Sequence, residues 1–295
     1  MLFPDARRAV EATAGELPVH DPAYDVAAAR EEARRAALAE PREEVGEVVD
    51  LDVDGVRCRL YRPREAAGHG LVVHLHGGGF VFNDVEVHDP SARRLANRSG
   101  LAVLSVDYRR PPEHRFPAAP DDVDRVLGWL DREAGRWGIT GPAYAHGDSA
   151  GANLALVAAL RHPGRFRALA LIYPFLDPTQ AFDSYRTASE TFDQAEAAWY
   201  WRQYAATPAD LEHPDLAPLR SDRLGTLPPT LVVSAEHDPL RDEAEELARR
   251  LAVLEVPVVA TRYLGQVHGF WRHASAFVAA EPLMAQVAGF LRLHR

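Results

Sequence analysis

The chain reads as an α/β protein built on a mostly parallel central sheet with helices on both faces. Three observations support this. Two β-type runs open the folded part and are joined by a hairpin turn. After them, short apolar runs alternate with segments of helical periodicity. Midway along the chain, a strand runs through Gly147-Asp148-Ser149-Ala150-Gly151 directly into a helical stretch. With 295 residues the chain can bury a full core, and its apolar and charged fractions are those of a globular protein.

Residues 1–43 are rich in Ala, Arg and Glu and poor in large apolar residues. A helix is predicted over Ala23–Glu40 and is ended by Pro41. Such a segment has no core of its own and either packs on something else or frays. Strands are predicted at Val45–Val53 and Val56–Arg62, turning at Asp54-Gly55. The buried-looking run Leu71–His76 leads into Gly77-Gly78-Gly79. Pro90–Ser99 reads as a helix and Leu101–Val106 as a strand. Pro120–Ala134 reads as a helix, with Val123, Val126, Leu127 and Leu130 at helical spacing. Ala143–His146 and Ala152–Leu160 flank the central turn as strand and helix. Further strands fall at Ala168–Tyr173, Thr230–Ala235 and Val258–Tyr263, and further helices at about Arg241–Leu254 and Ser275–Leu293. Between two of these strands, Asp177–Leu227 contains no strand but carries Phe192, Trp199, Tyr200, Trp201 and Tyr204. An insertion of that length between core elements is commonly a lid, and part of such an aromatic cluster serves only as anchorage.

Charge and cysteine usage narrow the function. The net charge is −10 and every basic residue is Arg, which argues against a nucleic-acid partner. Cys58 is the single cysteine and lies in a predicted strand, so it reads as a packed thiol and a reducing compartment fits. The start Met1–Arg8 lacks an apolar signal core, and the longest apolar run, Ala168–Leu176, is about half of a membrane span. The expectation is a soluble, cytoplasmic protein without a membrane partner.

Gly147–Gly151 has the form of a nucleophile elbow. A Ser at the apex of so tight a turn holds strained angles, and its neighbours two residues away press on the adjoining strand and helix, where a Cβ does not fit. Serine needs a base, and the base needs an orienting acid. Asp238 follows the run Thr230–Ala235, and His268 follows Val258–Tyr263, so both stand at the ends of later strands. Of 13 histidines, His268 stands out only by that place. Among competing acids, Asp148 on the elbow points away from an imidazole at 268. Asp242 and Glu243 fall in the next helix, as caps or solvated groups. His76-Gly77-Gly78-Gly79 supplies backbone N–H groups after a buried strand, which with Ala150 N–H makes an oxyanion donor set. The glycines could instead cradle a phosphate, but no Lys follows and the Gly-x-Gly-x-x-Gly spacing is absent. Nothing points to a cofactor or metal.

These strings together resemble the hormone-sensitive-lipase group of α/β-hydrolase carboxylesterases, bacterial family IV. They are HGGGF at His76–Phe80, VDYRRPPEHRFPA at Val106–Ala118, GDSAG at Gly147–Gly151 followed by Ala152-Asn153-Leu154, DPLRDE at Asp238–Glu243, and His268-Gly269-Phe270. The resemblance spans roughly residues 70–270. It implies the α/β-hydrolase fold and a triad of Ser149, Asp238 and His268, with oxyanion donors at Gly78, Gly79 and Ala150. His76 and Asp107-Tyr108-Arg109 would support the oxyanion loop. It further implies a helical cap from residues 1–43 and 177–227 over a core of 44–176 and 228–295. Two departures are visible: Ala152 replaces a customary second Gly, and Arg110-Pro111-Pro112 replaces a more usual Leu-Ala-Pro. The implied activity is hydrolysis of short-chain acyl or aryl esters through an acyl-serine, with acyl chains of about two to eight carbons preferred. An amidase or lactonase would use the same residues. A ligand-binding protein of the same fold is the alternative from another class: plant gibberellin receptors resemble this group but lack the triad histidine, which is present here. Members of the group often dimerise through the last strand and helix, so a homodimer is an open expectation. The substrate partner is a small-molecule ester.

Overall fold

The computed structural model describes residues 1–295. Two helices come first, α1 (Pro4–Thr13) and α2 (Val26–Ala39), followed by the hairpin strands β1 (Glu47–Val53) and β2 (Val56–Arg62). Then come β3 (Leu71–Leu75), α3 (Asp89–Ser99), β4 (Ala102–Val106), α4 (Ala118–Glu133), β5 (Ala143–Asp148), α5 (Ala150–Arg161) and β6 (Phe166–Ile172). The long interval holds α6 (Ser184–Thr187), α7 (Gln194–Tyr204) and short 3₁₀ turns, with no strand. The chain closes with β7 (Thr230–His237), α8 (Arg241–Val253), β8 (Val258–Val267) and α9 (Ala280–Leu293).

The eight strands form one sheet in the order β1-β2-β4-β3-β5-β6-β7-β8. Pairings β1–β2 and β2–β4 are antiparallel and all others are parallel. One face is covered by α4, α5 and α8 through Val123, Val126, Leu156 and Leu247. The opposite face is covered by α3 and α9 through Ala92, Leu95, Leu283 and Val287. Strands buried on both faces lose their alternation, which is why Leu71–Leu75 and Ala102–Val106 are buried throughout and, apart from His74 and Ser105, apolar.

The predicted elements appear at their predicted places, with local differences at the ends. Helix α2 starts at Val26, because the Asp25 carboxylate accepts hydrogen bonds from Ala27 and Ala28 N–H and fixes the N-terminus. Helix α9 starts only at Ala280, which puts Pro282 in its first turn, where a missing N–H costs nothing. Strands β7 and β8 run further than predicted, to His237 and Val267, and deliver the residues after them to one edge of the sheet. Cys58 is fully buried, and burial pushes its thiol up from the ordinary value. No helix is long and apolar enough to cross a membrane.

The aromatic cluster of the interval divides in two. Trp201 and Tyr204 are buried anchors: Tyr204 stacks on Phe80 at 3.8 Å and Trp201 lies 4.3 Å from Phe175. Phe192 and Tyr200 turn instead toward a cavity above the carboxyl ends of the strands.

Candidate active site

Strand β5 ends at Asp148 and α5 begins at Ala150, so Ser149 alone makes the turn. Its backbone sits at φ 54°, ψ −121°, a region that costs a non-glycine residue about 1–3 kcal/mol and is held only by its surroundings. The glycines on either side show what holds it. A Cβ on Gly147 would lie 2.3 Å from the Gly151 carbonyl oxygen, and one on Gly151 would lie 2.0 Å from that of Leu75. Ser149 N–H donates to Ile172 O at 2.9 Å, and the Ser149 carbonyl accepts from Phe175 N–H at 3.2 Å, so β6 and its loop pin the turn from the side. Ala152 fits where the family pattern has glycine; it is fully buried without disturbing the elbow.

Asp238 and His268 meet after β7 and β8. His268 Nδ1 lies 2.8 Å from Asp238 Oδ2, and Leu240 N–H donates to Asp238 Oδ1 at 2.8 Å. The aspartate is fully buried, whereas the imidazole keeps 17% of its side-chain surface. Two aromatic rings fix that imidazole, Tyr173 at 4.4 Å and Phe192 at 5.1 Å between centroids. With Nδ1 engaged by the carboxylate, Nε2 is left for the nucleophile. Ser149 and His268 line one cavity of about 330 Å³, together with Gly78 and Gly79.

The loop after β3 is fastened at several points. Asp148 Oδ1 accepts Gly77 N–H at 3.0 Å, and Asn83 Nδ2 donates to Gly77 O at 3.0 Å. Tyr108 stacks on His76 at 4.2 Å and its hydroxyl donates to His76 O at 2.7 Å. The N–H groups of Gly78, Gly79 and Ala150 donate to no acceptor within the chain. Three free donors beside a serine in the lining of one cavity make a seat for a developing oxyanion. Gly79 adopts φ +58°, and a Cβ there would lie 2.2 Å from the Tyr200 ring, so α7 rests directly on this loop.

The competing acids have other occupations. Asp148 accepts Gly77 N–H and lies 3.7 Å from His88; burial pushes its carboxyl up. Asp242 accepts from Ser184 N–H at 2.8 Å. Glu243 corrects the expectation of a capping or solvated side chain. It is fully buried and accepts from Leu176 N–H at 2.7 Å, Asp177 N–H at 3.2 Å and Tyr185 OH at 3.2 Å. It thereby ties α8 to the first residues of the interval that follows β6. Helical periodicity alone places position 243 on α8 but does not reveal the loop folded back over it.

A buried histidine row beneath the site also escaped the sequence reading. His74 and His146 are register partners on β3 and β5, with Nδ1 atoms 2.9 Å apart, and His74 Nε2 lies 3.4 Å from His88 Nδ1. His88 in turn lies 3.7 Å from Asp148. Desolvation pushes His74 and His76 down to about 3 and holds His88 and His146 well below the ordinary value. Ligating atoms of His74, His88 and Asp148 come within 4.8 Å of one another. Both ring nitrogens of His74 already face other histidines, and Asp148 Oδ1 already accepts Gly77 N–H, so the group reads as a neutral chain supporting the elbow.

Residues 72–272 match the family of the alpha/beta hydrolase fold. The chain is an α/β hydrolase. An arylesterase of Saccharolobus solfataricus is 34% identical over 79% of this chain and 80% of its own length. An ethyl acetate hydrolase of Pseudomonas putida is 32% identical over 94% of this chain and 92% of its own. Among solved structures, the Pyrobaculum calidifontis esterase superposes with a TM-score of 0.88 at 36% identity, covering 99% of this hydrolase and 98% of that chain. These proteins share with this hydrolase the group it was identified with from its motifs.

Proposed function

We infer that this α/β hydrolase is a serine carboxylesterase acting on short-chain acyl or aryl esters, with Ser149 as nucleophile, His268 as base and Asp238 as orienting acid. The reading rests on one observation above all: an intact imidazole, held at 2.8 Å by a buried carboxylate, shares a cavity with a strained serine. His268 Nε2 takes the proton as Ser149 Oγ attacks the ester carbonyl, and the Gly78, Gly79 and Ala150 N–H groups receive the negative charge. His268 then returns the proton to the leaving alcohol, and water repeats the sequence on the acyl-enzyme. The arylesterase and ethyl acetate hydrolase activities of the relatives support ester chemistry here.

Helices α1 and α2 with the interval 177–227 act in this reading as a cap. The loop between the first two helices and the segment before α7 both contribute to the cavity, and Phe192 and Tyr200 limit its depth. Trp201 and Tyr204 take no part in that limit. A volume of about 330 Å³ suits a small acyl group better than a lipid chain. A homodimer would form through β8, the exposed edge of the sheet, and a reducing cytoplasm suits the single buried thiol.

A fluorophosphonate probe tests the nucleophile: the mass increment is expected on the peptide containing Ser149. A series of 4-nitrophenyl esters tests the acyl preference, with the maximum between about two and eight carbons. Labelling of another serine, or a maximum at long chains with a rate jump when substrate aggregates, overturns the reading.

A further inference from the structure

We propose that the roof of this cavity selects esters carrying a positively charged group on one arm, an ammonium a few carbons from the scissile bond. The proposal rests on the esterase reading and adds a substrate class to it. The cavity roof presents two carboxylates, Glu16 from the loop between α1 and α2 and Glu196 from the first turn of α7. Neither has an arginine partner, in a chain whose other acids are extensively paired with arginine, as in Arg30–Glu113, Arg98–Glu43 and Arg161–Asp215. The basic side chain acting on Glu196 is the exposed His20. Glu196 is half-buried, and its other partners are uncharged backbone groups, Asp193 N–H at 3.3 Å in the helix cap and the backbone of Val19. An acid taken partly out of water without a counter-ion is costly, and a cationic ligand removes that cost.

The aromatic rings beside these acids point to the same ligand. Tyr24 and Phe82 meet edge to face at 6.1 Å, and Phe82 and Tyr200 at 6.1 Å and 88°, so rings stand at right angles along one wall of the cavity. Aromatic rings grouped beside carboxylates are a known receptor for a quaternary ammonium. Burial pushes the Tyr24 hydroxyl up, and Glu16, Glu196 and Glu32 add to it. One cation, Arg272, reaches the cavity from the opposite side, where its guanidinium lies 3.0 Å from His273 and acts on Asp148. Asp148 lies beside that cation at the floor, so the acids without an arginine partner are those of the roof. Tyr200 connects the two ends, since its ring covers Gly79 of the oxyanion loop.

The test compares choline acetate with its uncharged carbon isostere, 3,3-dimethylbutyl acetate, on the full chain. The two differ in charge and hardly in shape. The cationic ester is expected to have a kcat/KM about tenfold higher at low ionic strength, with the gap narrowing as salt is added. Glu196→Gln retains the helix-cap geometry; it and Glu16→Gln should each lower the cationic-to-neutral ratio, and the double variant should bring it near one. A wild-type ratio of one or below overturns the proposal, as does a double variant that loses both rates while keeping the ratio. Hydrolysis of 4-nitrophenyl acetate separates this from the parent reading. If that ester is cleaved without discrimination between the pair, only the cation preference falls. If it is left intact, the esterase reading fails, and calorimetric binding of choline against 3,3-dimethylbutanol carries the test, with tighter choline binding expected and equal binding overturning it.

Discussion

The floor and the roof of the cavity are built on opposite terms. On the floor, Ser149, Asp238 and the Gly77–Gly79 loop stand at strand ends, with the Asp238 carboxylate and Gly77 N–H tied to named partners and three N–H donors left open. On the roof, Glu16 is exposed, Tyr24, Phe192 and Glu196 are half-buried, and polar contacts are few. Reaction chemistry needs fixed distances, and a parallel sheet supplies them. Choice of substrate needs only a wall of suitable shape and charge. Substitutions on the floor should therefore change kcat by orders of magnitude, and those on the roof should change KM by small factors.

The largest effect is expected for Ser149→Ala, a loss of roughly 10⁵–10⁶ in kcat with the fold intact, read by steady-state hydrolysis of 4-nitrophenyl acetate. Residual activity within a hundredfold of wild type would place the nucleophile elsewhere. Asp238→Asn should follow, at about a thousandfold or more in kcat with KM little changed, because the amide favours the wrong imidazole tautomer. If Asp242→Asn or Glu243→Gln costs more kcat than Asp238→Asn, the orienting role belongs to them.

The histidine row extends the comparison to stability. Each of these groups has a folded pKa held below its unfolded value near 6.5. Above pH 6.5 both states are neutral at these positions, and nothing is gained or lost. Below it the unfolded chain takes up protons that the folded floor refuses, so stability falls as pH drops from about 6.5, by up to ~1.4 kcal/mol per unit for each histidine. Thermal unfolding between pH 8 and 5 should show this slope, reduced in the His74→Leu/His146→Leu double variant. An unchanged slope in that variant would separate the row from the acid sensitivity.

Gly79→Ala probes the place where floor and roof touch. A left-handed φ and a collision with Tyr200 together should cost about 10–100-fold in kcat. Adding Tyr200→Ala should restore part of that loss, and strict additivity of the two would show that the contact carries no coupling. Phe192→Ala is expected to give the smallest effect, within about fivefold and mainly in KM, although its ring lies 5.1 Å from His268. A kcat loss as large as that of Asp238→Asn would make Phe192 part of the floor.

The same division decides what the sequence discloses. Ser149, Asp238 and His268 are legible because each follows an apolar run, and position after a strand is recorded in local pattern. The hairpin at Asp54-Gly55 is legible for the same reason. Glu243 is not: its partners Leu176, Asp177 and Tyr185 lie some sixty residues away in a segment without periodicity. The His74–His146 pair required the register of β3 against β5, which no spacing within one strand contains. Roof residues were the least legible. Within one aromatic run, Trp201 and Tyr204 anchor while Tyr200 faces the cavity, a choice made by how α7 is rotated against Phe80 and Phe175.

The seat of Tyr200 on Gly79 constrains how this enzyme can change over generations. A ring occupies the volume that a third-glycine Cβ would fill, so neither position can drift alone: a larger residue at 79 demands a smaller one at 200, and a smaller one at 200 opens a void over the glycine loop. New specificity is thus most accessible at exposed roof positions such as Glu16. The ring at 200 stays behind as the keystone that lets the surrounding roof diversify without loosening the glycine loop.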